Sequence, residues 1–211
     1  YLITEDEPSI DDFCKRYETS RATVFRKIKP LNDQLHNFGL HFTFSHMNIV
    51  GDERKTILFL FCIFRLATEG VIWPFGEHLQ AVALEVRDQF MTRIQVPSEW
   101  ENSDVFPLIL AIASLRMRQG NYVEDDERYE ILIDNNENYD PRLLDSELIS
   151  QRHYPDLTND RKQAMLHFGY QLLNILPVFR KVDRYLQTTL DYCYSRNNIV
   201  WQFATEFLNY M

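Results

Sequence analysis

The chain has 211 residues, a formal net charge of −9, 45% hydrophobic and 14% aromatic residues. That apolar content excludes a disordered polymer and suffices for about two domains with cores of their own. The negative balance argues against a general polyanion binder, so any contact with nucleic acid must come from a local surface.

At the start, Tyr1-Leu2-Ile3-Thr4 reads as the end of a first helix cut short. With no initiator Met, the chain reads as a fragment of a longer protein. Ile10, Phe13, Cys14 and Tyr17 then recur at helical spacing and predict a helix with one buried stripe. Thr19-Ser20 supplies a break and an N-cap. Val24, Ile28, Leu31 and Leu35 form a second apolar stripe, with Arg21, Arg26 and Lys27 on the other face. Two short helices joined by a tight turn, the second basic at its start, suit insertion into a DNA major groove.

Charge is unevenly spread. From Cys14 to His41, six basic residues stand against two acids, a balance of +4. From Asn121 to Asp160, twelve acids stand against three arginines, a balance of −9. A basic head on an acidic body is expected of a modular DNA-binding protein.

Gly39 suits the left-handed position after the second helix. Leu40 to His46 alternates apolar and polar residues, and Met47 to Gly51 continues it. This predicts a short hairpin turning near Ser45 to Asn48, a wing behind the recognition helix. Pro30 lies inside that helix and removes a backbone donor, which predicts a bend beyond the first two turns.

The assigned roles follow from position. Ser20 caps the helix, and the free amides beside it can meet a phosphate. Arg21 and Thr23 occupy the first turn, where side chains reach base edges, with Arg26 and Lys27 one turn on. Lys29, His41 and Thr43 are expected at phosphates, as Lys27 also is. Ile10, Phe13, Val24 and Ile28 are expected in the core.

These residues resemble the Mga family of Gram-positive transcription regulators. The likeness rests on Ser20-Arg21-Ala22-Thr23, Arg26-Lys27-Ile28, Leu31 to Leu35, and Gly51-Asp52-Glu53 after the wing. It covers about a quarter of the chain, a segment similar to that family's second helix-turn-helix. The resemblance implies a DNA-binding global or virulence regulator, and a following helical domain similar to the phosphotransferase-system (PTS) regulation kind. It also implies a phosphocarrier of that system as a partner, with His78, His153 and His167 as the histidines it would modify. Ala113 and Ser114 stand where related antiterminators carry such a histidine, a departure from the pattern.

The rest reads as helix. Arg54 to Ala67 is strongly apolar but too short for a membrane span, and reads as a buried core helix. Phe75 to Ile94 carries a stripe of Leu79, Val82, Ala83, Val86, Phe90 and Ile94. Asp104 to Gln119 is acidic at its start, basic at its end and followed by Gly120. Further helices are expected over Leu143 to Gln151, Asn159 to Ile175, Val178 to Arg196 and Asn198 to Tyr210, with Tyr129 to Ile133 ambiguous. The fold class is thus mainly α. A winged helix-turn-helix over 1–50 precedes a helical PTS-regulation-like bundle over 51–158, and 159–211 begins a second such domain.

Cys14, Cys62 and Cys193 read as buried thiols of a reducing cytoplasm. No HExxH, CxxC, GxSxG or phosphate-cradling glycine loop occurs, so no catalytic residue, metal or cofactor is assigned and the protein is not expected to be an enzyme. Glu124-Asp125-Asp126-Glu127 reads as a solvated loop without EF-hand spacing. The expected partners are double-stranded DNA and a second copy of the chain, since symmetric operators are read by symmetric proteins, and no membrane. The aromatic tail (Tyr185, Tyr192, Tyr194, Trp201, Phe203, Phe207, Tyr210) is a candidate for packing against a partner. The competing reading is a helical sensory or interaction module that binds no DNA of its own.

Overall fold

The computed structural model describes residues 1–5, 9–93, 104–126, 133, 154, 156–175, 202 and 206. The helices expected over Leu143 to Gln151, Val178 to Arg196 and Asn198 to Tyr210 lie outside this set, apart from single helical positions at Gln202 and Glu206. His153, Cys193 and the aromatic tail lie outside it as well.

Among the described residues the chain is mainly helical, with one small sheet. Tyr1 to Glu5 form a helical turn in which the amides of Thr4 and Glu5 reach the Tyr1 carbonyl. Helix α1 spans Ile10–Arg16, capped by the Ser9 hydroxyl, which accepts from the amides of Asp11 and Asp12. Residues 17–20 turn the chain, with Glu18 in the left-handed region at φ 47°. Helix α2 spans Arg21–Asn37 as one continuous helix through Pro30.

The hairpin pairs β1 (His41–Thr43) with β2 (Asn48–Val50), antiparallel, with Phe42 opposite Ile49. Phe42 and Ile49 are buried while His41 and Val50 are exposed, the alternation read from the sequence. Gly51 follows at φ 147°; a Cβ there would lie 2.6 Å from the Leu40 side chain and 2.9 Å from the Gly39 carbonyl. The junction is therefore tight, and glycine is what permits it.

Helix α3 spans Glu53–Ala67 and is capped by Asp52, which accepts from the Lys55 amide at 3.2 Å. Helix α4 spans Glu77–Arg93, α5 Val105–Arg118 and α6 Asn159–Ile175. Helix α5 is the centre: Phe106 to Met117 are all buried, and it packs against α3, α4 and α6. A helix apolar on every side is one enclosed by others. Phe90 of α4 stacks edge-on to Phe106 and tilts against Tyr170 of α6, with ring centres 5.4 and 5.6 Å away. No described helix is long and apolar enough to cross a membrane.

Three expectations need correction. Tyr17 does not complete the buried stripe of α1. It is exposed, its ring resting on Phe13 at the helix's open end, while Ile10 is buried and Phe13 and Cys14 are half-buried. Helix α3 is not wholly buried: Thr56, Ile57 and Leu60 face the core, but Cys62, Ile63 and Leu66 are exposed. Cys62 is accordingly an exposed thiol. For α3 and Cys62 the cause is one: α3 buries the single stripe Thr56, Ile57 and Leu60, and its apolar composition exceeds what that stripe covers.

Candidate nucleic-acid interface

The N-terminal end of α2 is built from its cap outward. The Ser20 hydroxyl accepts from the Thr23 amide at 3.2 Å and lies 3.0 Å from the Thr23 hydroxyl. The cap thereby satisfies one amide of the first turn, and the helix dipole leaves that end positive. Beyond it, Arg26, Lys27 and Lys29 are exposed and make no ion pair among the described residues. Arg26 and Lys29, three residues apart, share a face, with Lys27 beside them.

Arg21 differs from these three. Its Nε donates to Asp11 at 2.6 Å, and a second bond joins its terminal nitrogen to the same carboxylate. This fork clasps α1 to the first turn of α2. Hydrogen bonding from Arg21 holds the Asp11 carboxyl below its usual range. Arg16 pairs with Glu5, and Lys15 lies 3.9 Å from Asp12. Half of the six basic residues of the head are thus matched by acids upstream, and the unmatched cations gather on α2.

The wing is fixed to α2 rather than hanging from it. The Asn32 side chain accepts from the Phe42 amide at 2.7 Å. Phe44 at the hairpin turn stacks on Phe25 of α2, centroids 4.1 Å apart, and on Phe42. His41 is exposed on the wing, and the half-buried Thr43 donates its hydroxyl to the Asn48 carbonyl at 3.2 Å, inside the hairpin.

Behind the wing lies a residue read from the sequence only as a basic helix end. Arg116 of α5 is fully buried. Its guanidinium donates to both Glu53 carboxylate oxygens at 2.6 and 2.8 Å, to the Ile49 carbonyl at 3.0 Å and to the Asn48 side chain. Burial raises the Glu53 carboxyl above its ordinary value, outweighing the lowering by Arg116. Nearby, Asn121 accepts from Asn48, and the Gln119 amide donates to the carbonyls of Leu2 and Glu5. One end of α5 therefore grips the wing, α3 and the N-terminal turn together. The available signal was an arginine inside an otherwise apolar run, LRMR, facing a motif glutamate.

Of the histidines, His78 is exposed at the start of α4. His167 is buried on α6, its Nδ1 3.0 Å from Asp125. The acidic run is not simply solvated, because Asp126 pairs with Arg54 at 3.3 Å while Asp125 meets His167. Ser114 is buried and hydrogen-bonded to the Tyr154 hydroxyl, so the place of the missing histidine is a core position.

A two-helix unit with a tight turn, a capped and cationic second helix and a docked hairpin is a winged helix-turn-helix. Residues 1–64 match the family model described as the Mga helix-turn-helix domain. The match spans 64 of the 211 residues, so the likeness is that of this segment to a helix-turn-helix domain of the DNA-binding kind. No curated protein and no solved structure matches the chain.

Proposed function

We propose that the chain is part of a cytoplasmic, non-enzymatic transcription regulator that reads double-stranded DNA as a homodimer. Residues 20–29 of α2 enter the major groove, and His41 and Thr43 of the wing approach phosphate. The helical region behind it, with a boundary near residue 51, serves as a PTS-regulation-like control module, and a second such module starts near 159. The observation that carries the reading is the set of unmatched cations, Arg26, Lys27 and Lys29, beside a capped helix start and a docked wing.

A duplex selected from a random library and a scrambled duplex, titrated at two salt concentrations, test this. Arg26→Ala is expected to cost about 1–3 kcal/mol and to relax sequence preference. Lys27→Ala and Lys29→Ala are expected to weaken both duplexes alike and each to lower the salt slope by about one. Unchanged affinity in the triple variant would remove α2 from the interface and favour a helical sensory or interaction module instead.

Control by a phosphocarrier places the modification on an accessible histidine, and His78 fits better than buried His167. His153 remains a third candidate. A phosphohistidine label lost with His78→Ala and kept with His167→Ala supports this order, and the reverse pattern overturns it.

A further inference from the structure

We infer that Phe25 is a base-reading residue: the exposed part of its ring, with the methyl group of Ala22, receives the C5-methyl group of a thymine in the major groove. The inference deepens the DNA reading above and rests on it. Phe25 stands in the second turn of α2 and is 41% exposed. Ala22 lies three residues before it, Arg26 one after and Lys29 four after, and all three are exposed. At the helical period these four residues form one continuous surface, turned away from the buried Val24 and Leu35. That surface is cationic at Arg26 and Lys29 and apolar at Ala22 and Phe25.

The ring is held in place before any base arrives. It stacks on Phe44 of the wing with centroids 4.1 Å apart, and Phe44 meets Phe42 at 5.0 Å. The Asn32 side chain, also on α2, accepts from the Phe42 amide at 2.7 Å. The wing thus supports the ring on one side and leaves another side open. A side chain fixed in this way loses little freedom when a ligand meets it. Phosphate is a poor match for the spot, having no apolar group. Arg21, one turn before Phe25, is paired with Asp11, so the cation on that flank is already engaged by an anion. A base edge is the better match. In the major groove the thymine C5-methyl is the apolar group that unmodified base pairs present, and alanine and phenylalanine are among the side chains that meet it. Arg26 follows Phe25 directly, so the thymine lies beside the base pair that Arg26 reads. A methyl group at Phe25 and hydrogen-bond acceptors at Arg26 together select a base step that neither contact selects alone.

The test uses the whole 211-residue chain and the duplex selected from a random library. Each thymine of that duplex is replaced in turn by uracil, which removes the methyl group and leaves every hydrogen-bonding group in place. We expect a thymine in each half-site at which uracil weakens binding about three- to fivefold, the effect of one methyl group left in water. Phe25→Ala should weaken binding to the thymine duplex and abolish the difference between thymine and uracil at that position. Phe25→Leu, which keeps an apolar side chain against Phe44, should melt like the parent and retain part of the difference. If Phe25 serves only to seat the wing, Phe25→Ala weakens the thymine and uracil duplexes equally and their ratio survives, which overturns the inference. Sequence-specific binding that is indifferent to uracil at every position overturns it without any variant, and leaves DNA reading by α2 standing. Equal binding of the selected and scrambled duplexes sinks the DNA reading and this contact with it.

Discussion

Arg21 shows how a single partner changes what a basic residue can do. It stands in the first turn of α2, where the sequence places a base-reading side chain, yet one edge of its guanidinium, Nε with a terminal nitrogen, is held by Asp11. A phosphate or base that meets that edge must displace the carboxylate, and the nearby anion opposes approach to the rest of the guanidinium. Arg21→Ala is therefore expected to lower DNA affinity less than Arg26→Ala does. Asp11→Ala should raise affinity and steepen the salt dependence by about one charge, because it frees a cation and removes a repelling anion. Salt-titrated gel shifts of the three variants check the order; equal losses for Arg21→Ala and Arg26→Ala would show that the clasp opens without cost. The clasp also has a pH signature. Since the folded state holds Asp11 below its ordinary carboxylate value, its contribution is present above the unfolded value and is lost as pH falls through the folded one.

At the scale of elements, periodicity carried the reading where one face of an element is buried and failed where burial depends on long-range partners. Helix α6 has the bounds expected from its apolar spacing, and α2, the hairpin and α5 lie within a residue or two of theirs. The Gly51-Asp52-Glu53 step was legible as a motif but not as chemistry: glycine permits the close turn, aspartate caps α3, and glutamate binds Arg116. That last partner lies 63 residues on, a distance no local pattern reports. The overestimated burial of α3 has the same origin, since composition gives the amount of apolar surface and not how many neighbours cover it. Arg116→Met should cost about 3–5 kcal/mol, because it leaves Glu53 buried without its cation. Burial already raises the Glu53 carboxyl, so the folded state holds a proton that the unfolded state has released in that window. Stability from this group falls as pH rises through it. The Arg116→Met penalty should accordingly be larger at neutral pH than in mild acid. Urea unfolding at the two pH values measures this, and adding Glu53→Leu should recover most of the loss and flatten the pH dependence.

At the scale of the whole molecule, the segment that carries the family match is not a separable head. Residues 1–64 include Glu53, Asn48 and the carbonyls of Leu2, Glu5 and Ile49, all of which are held by Arg116, Gln119 or Asn121 beyond that segment. Thr56, Ile57 and Leu60 of α3 are buried within the assembled fold, in which α3 packs against α5. Cutting after residue 64 would expose this apolar face and strip a buried carboxylate of its cation. It would also remove Arg116 and Asn121, the partners of Asn48, which pairs with Thr43 across the hairpin. A head of this size buries too little surface to absorb such losses. The isolated 1–64 fragment is therefore expected to be largely unfolded at room temperature by circular dichroism. In the full chain the amides of α2, the hairpin and α5 should exchange hydrogen with one common protection. A fragment that folds and binds DNA like the full chain would make the Arg116 junction a passive contact. If the fragment fails while the full chain exchanges as one unit, then any signal that shifts the packing of α5, including charge added to the helical region, reaches the wing through Arg116.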